Sequence, residues 1–312
     1  MNASVAAHAD WSVDPRKRWI SVAYRNGAAW RLEAPRLVGD LPALFPALLT
    51  EAGGGAVALG VDLPLGLPRG FVAAHATAAD FPAFLRGLAG RPEFFEVAAT
   101  EADISPARPF YPARGQRGMT RAAQVAALGL AGPEDLSRWC DRATAERPAG
   151  ASLFWTLGPN QTGKAAISAW RDLLLPALHG PNPPLLWPFD GDFFDVLHPG
   201  RVTIAETYPA EALRHLGLSL HGSKRRQADR AVLAAPLRAC MDRLAVSASP
   251  RLLAAMDDGF SGDAAGEDRF DSVLGVLCVL NVLAGHRPGG IPPDPWLRRW
   301  EGWVLGQTAL PR

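Results

Sequence analysis

Residues 56–62 read AVALGVD, a run of small and apolar side chains that ends at an aspartate. Three glycines at 53–55 precede the run, and turn residues Pro64 and Gly66 follow it. A short continuous apolar segment between such breakers is typical of a strand that is covered on both faces in the middle of a sheet. The stretch therefore predicts a central strand of an α/β protein that ends at Asp62.

The chain before this strand predicts a neighbouring strand and a hairpin. Residues 4–7 are small and apolar and lead to Asp10. Residues 19–24 (WISVAY) and 28–33 (AAWRLE) flank Asn26-Gly27, a dipeptide favoured in two-residue hairpin turns. We expect a first strand that ends near Asp10, then a hairpin, then a helix over residues 41–51.

The pattern resumes after residue 200. Residues 201–205 (RVTIA) predict a strand that leads into Glu206, and the last predicted helix, 268–283, is apolar enough to be buried. Three antiparallel strands followed by α/β units are the order of a ribonuclease H-like (RNase H-like) sheet. We therefore predict an α/β fold with an RNase H-like mixed sheet, and further helices at 210–217, 224–244 and 249–256.

The middle of the chain is rich in proline and glycine and has no clear series of strands. We predict that residues 1–69 and 201–312 form the RNase H-like core. Residues 70–200 are then a mostly helical insertion that serves as a substrate-binding cap. Helical stretches are expected there at 80–88, 119–128, 133–146 and 165–179.

Acidic residues stand at the ends of the predicted core elements. Because the carboxyl ends of parallel strands meet at one edge of a sheet, these side chains are expected to gather there, where their charges repel each other. Carboxylate oxygens without a Cys or His cluster favour Mg²⁺ or Mn²⁺, and two such ions about 4 Å apart suit phosphodiester cleavage. We predict a catalytic set of Asp10, Asp62, Glu206 and Asp271, and a metal-ligand set of the same four residues with Asp268.

Each acid also has an ordinary structural explanation. Asp10 could begin a turn, and Asp62 could be a turn residue at a strand end. Glu206 could interact with the dipole of the helix that follows, and Asp268 could be the N-cap of the last helix. Asp271 is harder to explain in this way, because it opens a mostly apolar helix where an unpaired carboxylate is costly.

Four segments together resemble the motif series of domain-of-unknown-function family 429, which is described as predicted RNase H-like nucleases. The resemblance runs from about Asp10 to Gly306. It is carried by GVDLPLGLP at 60–68, AETYPAE at 205–211, DRFDSVLGVLCVL at 268–280 and EGWVLG at 301–306.

This resemblance implies an RNase H-like fold and a metal bound by carboxylates. The residues that match are Asp10, Asp62, Glu206 and Asp271, with Asp268 in support. The chain departs from many RNase H-like sites at Asp62, where those sites have glutamate. The shorter side chain would change the spacing of the metals.

Residues 158–164 (GPNQTGK) match the GxxxxGK pattern of a phosphate-binding loop. Ala165 lacks the hydroxyl that would bind Mg²⁺, and Pro159 removes one N–H donor, so an ATP or GTP loop is disfavoured. Two alternatives stay open: a helix N-terminus where Lys164 contacts a substrate phosphate, or a plain turn into a helix. A similar NQ-x-GK segment belongs to the family pattern, which favours the substrate role.

Two segments are locally basic. Residues 104–133 contain no acid and combine arginines with Phe110 and Tyr111, a combination that suits a nucleic-acid backbone and unstacked bases. Residues 214–243 hold seven Lys or Arg against two Asp. The alternative for both segments is a solvated surface. We predict substrate contacts from Lys164, Lys224, Arg225, Arg114 and Arg117.

Composition excludes several classes of protein. The net charge of +1 (32 − 31) argues against a uniformly basic nucleic-acid coat, although residues 257–271 carry −5 (six acids, one Arg) and residues 214–243 carry +5. Three distant cysteines make a disulfide framework or a structural zinc site improbable. The longest apolar run, 273–284, is too short to cross a bilayer, and no signal pattern begins the chain. We expect a cytoplasmic protein without a membrane partner.

Three functions remain open at this point. The leading hypothesis is a nuclease that uses Mg²⁺ or Mn²⁺, with two ions expected, to hydrolyse DNA or RNA. The second is a non-catalytic binding or scaffold protein that keeps the RNase H-like fold. The third is a phosphohydrolase or phosphotransferase acting on a small nucleotide, which is suggested by the near-match to a phosphate loop.

Overall fold

The computed structural model of the protein describes residues 3–114, 118, 120–157 and 162–312. The chain divides into two compact units. The first contains residues 1–62, 192–290 and 304–307, and the second contains residues 63–191, 291–303 and 308–312. Residues 63–69, 291–303 and 308–312, which the prediction assigns to the core, therefore belong to the second unit. Residues 192–200, which it assigns to the insertion, belong to the first.

The strands within these described ranges confirm the predicted order of strand, hairpin, helix and strand. Their bounds are β1 (Ala3–Asp10), β2 (Trp19–Asn26), β3 (Ala29–Leu32), β4 (Arg36–Leu37), β5 (Ala56–Val61), β6 (Leu185–Leu186), β7 (Val202–Glu206) and β8 (Val246–Ala248). The protein is α/β, as predicted. The short strands β4, β6 and β8 have no counterpart in the prediction.

The helices predicted at 41–51 and 249–256 have the predicted length, and the last helix begins two residues earlier than predicted. The helices predicted at 80–88, 119–128, 165–179, 210–217 and 224–244 are shorter or divided. The bounds of the helices are α1 (Leu41–Glu51), α2 (Arg69–His75), α3 (Phe81–Gly87), α4 (Arg121–Ala127), α5 (Thr162–Ala169), α6 (Leu175–Leu178), α7 (Pro209–His215), α8 (Gln227–Ala231), α9 (Ala234–Arg243), α10 (Pro250–Asp257) and α11 (Gly266–Leu283). A π-helical turn, Trp170–Leu174, joins α5 to α6.

The sheet of the first unit is mixed. Its strands lie in the order β7-β5-β1-β2-β3-β8, and β4 pairs with β2. The strands β1, β2 and β3 are antiparallel, whereas β5 is parallel to β1 and to β7, and β8 is parallel to β3. All six residues of β5 are buried, which agrees with the central position that its apolar run predicts.

Helix α11 covers one part of this sheet and contacts β1, β2, β5 and α7. It lies very close to the strands at two glycines. A side chain at Gly275 would lie 2.2 Å from Cγ of His8 on β1, and one at Gly60 would lie 2.7 Å from Val279. At each point a glycine leaves room for a side chain of the facing element, so α11 packs close to the sheet and most of its apolar residues are buried.

The second unit combines short helices with 3₁₀ turns. The helix predicted over 133–146 is wrong, because this stretch contains only the turns Pro133–Leu136 and Trp139–Asp141. Between them, the buried Arg138 adopts an extended backbone and donates to both carboxylate oxygens of Asp141 at 2.9 Å. Its guanidinium also donates to the carbonyl of Leu65. These tertiary contacts override the local helix propensity.

The EGWVLG segment begins with a buried carboxylate. Glu301 accepts hydrogen bonds from the backbone N–H of Trp139 at 3.1 Å and from the side chain of Arg69 at 3.1 Å. The backbone N–H of Leu67 donates to the carbonyl of Trp300 at 2.7 Å. Residues 291–303 therefore belong to the second unit through specific polar contacts as well as apolar packing.

The described part of the chain contains no helix that is both long and apolar enough to cross a membrane.

Candidate functional site

The register of three adjacent strands brings Asp10, Asp62 and Glu206 to the same edge of the sheet. Val61 lies opposite Ala9 of β1 on one side and opposite Glu206 of β7 on the other. The backbone N–H of Asp62 donates to the carbonyl of Ala9 at 3.1 Å, which keeps the two strands together to their ends. Asp10 and Asp62 therefore each follow one of these paired residues, and Glu206, which is fully buried, lies level with Ala9 and Val61.

Helix α11 supplies Asp271. The hydroxyl of the next residue, Ser272, is 2.8 Å from the hydroxyl of Ser21 on β2, and both side chains are buried. This contact sets the rotation and height of the helix on the sheet. Asp268 lies one turn earlier and is half-buried. The helix begins at Gly266 with Ala265 as its N-cap, so the alternative interpretation of Asp268 as the N-cap is wrong.

The electrostatics of these side chains indicate that they lie close together. Burial raises the pKa of Asp10 well above its ordinary value, and the charges of Asp271 and Asp62 raise it further. Burial, followed by the charge of Asp271, raises the pKa of Asp62 to about 7. Burial also raises the pKa of Asp271 to about 6, although the ammonium of Lys224 opposes this effect. Gathering the carboxylates without further positive charge is therefore costly.

Lys224 provides a positive charge at this cluster. Its Nζ donates to Oδ1 and Oδ2 of Asp271 at 2.8 and 2.6 Å. The side chains of Lys224 and Asp271 are only 22% and 12% exposed. Burial opposes ionisation of the lysine, but the charge and hydrogen bonds of Asp271 raise the pKa of Lys224 above its ordinary value. The sequence predicts that Lys224 contacts substrate. In the structure its ammonium is bound to the carboxylate of Asp271.

Arg230, which the sequence reasoning missed, holds the backbone around Lys224. Its buried guanidinium donates to the carbonyl of Lys224, to that of Gly259 at 2.8 Å and to that of Ser261 at 2.6 Å. Phe260 and Ser261 have positive φ angles of 63° and 76°, a rare backbone conformation for side chains of this kind. In sequence, Arg230 looks like one more member of a basic segment, and no local signal indicates its burial.

The donor chemistry of the cluster fits Mg²⁺ or Mn²⁺. Asp10, Asp62, Glu206 and Asp271 offer only carboxylate oxygens, which hard divalent ions prefer. Oδ2 of Asp268 is buried and makes no hydrogen bond within the described residues. The positions are not those of a preformed ligand set, since no three His, Cys, Asp or Glu side chains in the described chain are arranged to hold a metal ion.

The structure distributes the predicted substrate-binding residues over both units. Arg225 lies in the first unit, where its 80% exposed side chain is 3.9 Å from Glu267. Arg114 is an exposed residue of the second unit. Lys164 lies in the first turn of α5, also in the second unit. Arg117 lies outside the described residues.

The near-match to a phosphate loop is only partly described. Residues 158–161 lie outside the described residues. The backbone N–H of Gly163 donates to the carbonyl of Trp155 at 3.1 Å, and a side chain at Gly163 would lie 2.8 Å from that same oxygen. This glycine is therefore required for a close approach of two backbone segments, which explains its presence without a phosphate.

The aromatic residues of the first basic segment are not surface groups. Phe110 and Tyr111 are buried in the second unit, where Phe110 packs edge-on against Phe94 and Phe154. The expectation that these two rings stack on nucleic-acid bases is wrong. Their apolar surface is used for the core of the unit, and sequence alone does not distinguish these two uses of an aromatic side chain.

The oppositely charged segments 214–243 and 257–271 contact each other within the first unit. Ion pairs join Lys224 to Asp271, Arg225 to Glu267 and Arg238 to Asp257. Part of the regional charge asymmetry is thus neutralised internally. The asymmetry by itself does not define a phosphate-binding surface.

Comparison of this chain with protein-family models, with curated proteins and with solved structures finds no match.

Proposed function

We propose that this protein is a metal-dependent nuclease that hydrolyses phosphodiester bonds of nucleic acid. The observation that carries the proposal is the convergence of Asp10, Asp62 and Glu206 at the ends of three adjacent strands, with Asp271 presented by α11. A protein that needed these positions only for stability would gain from neutral side chains there, because the buried carboxylates repel each other.

The sheet topology supports an RNase H-like assignment within this proposal. Strands β1 to β3 are antiparallel, and β5 and β7 extend the sheet from β1 in parallel. Ligands of such α/β sheets bind at the carboxyl edge of the parallel strands, which is where the acids lie. The resemblance to domain-of-unknown-function family 429 is part of the same proposal and rests on the segments 60–68, 205–211, 268–280 and 301–306.

The chemistry assigned to this site follows from its oxygen donors. Asp10, Asp62, Glu206 and Asp271 would hold the divalent ions, with Asp268 in support. Ions bound there would supply a water molecule of lowered pKa and positive charge beside the phosphate. The chain holds several carboxylates close together in a partly buried place. A bound divalent cation would offset their repulsion and so favour their ionised form.

Nucleic acid as the substrate and the cytoplasm as the location complete the proposal. The basic side chains that are exposed, among them Arg225 and Arg114, are available to phosphate groups. The chain has only three cysteines, which suits a reducing compartment.

The proposal is tested by incubating the protein with Mn²⁺ or Mg²⁺ and a labelled panel of single-stranded, double-stranded, hybrid and branched DNA and RNA. We expect cleavage that is abolished by EDTA and reduced on the order of a hundredfold or more in Asp10→Asn and Asp62→Asn. The matched control is Asp242→Asn, which removes an exposed carboxylate from α9. Cleavage that persists in both site variants would exclude this site as its source.

One observation favours a second candidate, a non-catalytic binding protein with the same fold. The ammonium of Lys224 already neutralises Asp271, and a cluster satisfied in this way has no need of metal. Calorimetric titration with Mg²⁺ and Mn²⁺ distinguishes the two candidates. If the protein is a nuclease, Glu206→Gln should weaken its binding of the metal ion. If it is a scaffold, the titrations of the wild type and of Glu206→Gln should be the same.

A further inference from the structure

The contact between Lys224 and Asp271 places a protein cation inside the acidic cluster. Nζ of Lys224 lies within 2.8 Å of both oxygens of Asp271, so both oxygens of this predicted ligand are engaged. The charge of Lys224 also acts on Asp10 and Asp62, where it lowers the pKa of each carboxyl against the other effects. One ammonium therefore interacts electrostatically with three of the four predicted catalytic carboxylates.

The backbone that carries this ammonium is anchored. Arg230 donates to the carbonyl of Lys224 and, through its other nitrogens, to the carbonyls of Gly259 and Ser261. A side chain at Gly266 would lie 2.3 Å from Nη2 of Arg230, so the start of α11 is shaped around the guanidinium. Arg230 thus joins the backbone at Lys224 to the segment that precedes α11, the helix that carries Asp271. These contacts fix the position of the lysine beside the cluster.

We infer that Lys224 is a tethered counter-cation that competes with a divalent metal ion for Asp271, so that metal binds only when the ammonium leaves. This inference rests on the proposed metal site. Two cations that share the same carboxylate oxygens repel each other strongly at such distances, because the surroundings are partly buried and screen charge less than water. Without metal, the ammonium of Lys224 offsets the charge of Asp271, and a bound metal ion would take over that role.

The alternative role for Lys224 is structural support of the metal site, and the two roles predict opposite changes in affinity. If the ammonium competes with metal, its removal strengthens metal binding. If it supports the shape of the site, its removal weakens metal binding. The sign of the change in Kd therefore decides between them without reference to catalysis.

The experiment is calorimetric titration of metal-free full-length protein with MnCl₂ at pH 7.5. We expect Lys224→Gln to bind Mn²⁺ about tenfold or more tightly than the wild type. Lys224→Arg keeps the charge and is expected to bind no more tightly than the wild type. The matched control is Arg226→Gln, which removes one positive charge from the same loop at a side chain that is 75% exposed and 3.9 Å from Asp229. Its Kd should stay within about twofold of the wild-type value.

A second measurement keeps the inference testable if Lys224→Gln is poorly folded. In EDTA at pH 7.5, this variant should unfold at a lower temperature than the wild type, and saturating Mn²⁺ should remove the difference. An unchanged or weaker Kd for Mn²⁺ in Lys224→Gln, or absence of Mn²⁺ binding in all variants, overturns the inference. If Lys224→Gln binds Mn²⁺ more tightly and no nucleic acid is cleaved, the inference stands and the nuclease proposal fails.

Discussion

At the scale of the residue, His8 is the most unusual side chain near the candidate site. It lies on β1, is fully buried, and neither ring nitrogen has a hydrogen-bond partner within the described residues. Burial lowers the pKa of His8 to about 3, so the ring is neutral in the folded protein at ordinary pH. Such an imidazole costs stability at any pH at which His8 is protonated in the unfolded chain and neutral in the folded one.

The pH dependence of stability follows from this difference. The pKa of His8 is lower in the folded protein than in the unfolded chain, where it is about 6.5. Above pH 6.5 the buried neutral ring therefore costs no stability, and as the pH falls from 6.5 toward 3 the free energy of unfolding decreases. We expect His8→Leu to reduce the loss of unfolding free energy between pH 7 and pH 4.5 by about 2–3 kcal/mol.

Urea denaturation of the wild type and of His8→Leu at the two pH values measures this effect. The exposed His221 offers a control, since His221→Leu removes a histidine that water already solvates. An identical loss of stability in the wild type and His8→Leu would contradict a depressed pKa for His8. Other titrating groups affect both proteins alike and cancel in the comparison.

At the scale of the element, the close approach of α11 to the sheet determines where Asp271 lies. Gly275 follows Asp271 by one turn, and the imidazole of His8 occupies the space that a side chain at Gly275 would need. The contact between Ser21 and Ser272 lies between these two points. A small displacement of the helix would therefore move a predicted metal ligand as well as weaken the core.

We predict that Gly275→Ala destabilises the protein by about 1–3 kcal/mol. In an open helix the same change would stabilise by up to about 1 kcal/mol, so the sign tests the close approach. In a double-mutant cycle, His8→Ala should make room and recover most of the loss in the His8→Ala/Gly275→Ala protein. Additive effects in this cycle would mean that the two residues do not touch.

At the scale of the whole molecule, the net charge is close to zero because basic and acidic segments of similar charge compensate each other. The basic segment 214–243 pairs with the acidic segment 257–271 at Lys224, Arg225 and Arg238. Arg269, which lies between Asp268 and Asp271, is directed elsewhere, onto the ring of Trp19 and the carboxylate of Asp263. Arg269 thus pairs with Asp263, whereas Lys224 supplies positive charge to the carboxylates at the sheet edge.

A divalent cation that binds this cluster should stabilise the folded protein by mass action. At a free Mn²⁺ concentration a hundredfold above its Kd, the expected gain is about 2.7 kcal/mol, which corresponds to a rise in Tm of roughly 4 °C for a chain of this length. Scanning calorimetry of the full-length protein measures it. Asp271→Asn should lose most of the rise and Asp242→Asn should keep it, whereas an equal rise in both variants would place the bound metal elsewhere.

The elements of the first unit were predictable where the sequence carries a local signal. The apolar run of β5, the Asn-Gly turn between β2 and β3, and the long apolar α11 all occur within a few residues of their expected positions. Strand β8 has three residues and no strong pattern, and it forms because Trp30 to Leu32 of β3 provide a parallel edge for it. The prediction of a helix over 133–146 is wrong although the sequence carries a local helical pattern there, because a buried ion pair between Arg138 and Asp141 overrides that pattern.

For the candidate site, the sequence by itself determined which acids stand at element ends, because the short apolar runs that precede Asp10, Asp62 and Glu206 predict buried strands. Tertiary structure decided what surrounds those acids. The pairing of β1, β5 and β7 brought them to one edge, and residues far apart in the chain supplied Lys224 and Arg230. A basic residue in a sequence looks the same whether it faces solvent or a carboxylate, because only the folded chain fixes its distance to the opposite charge.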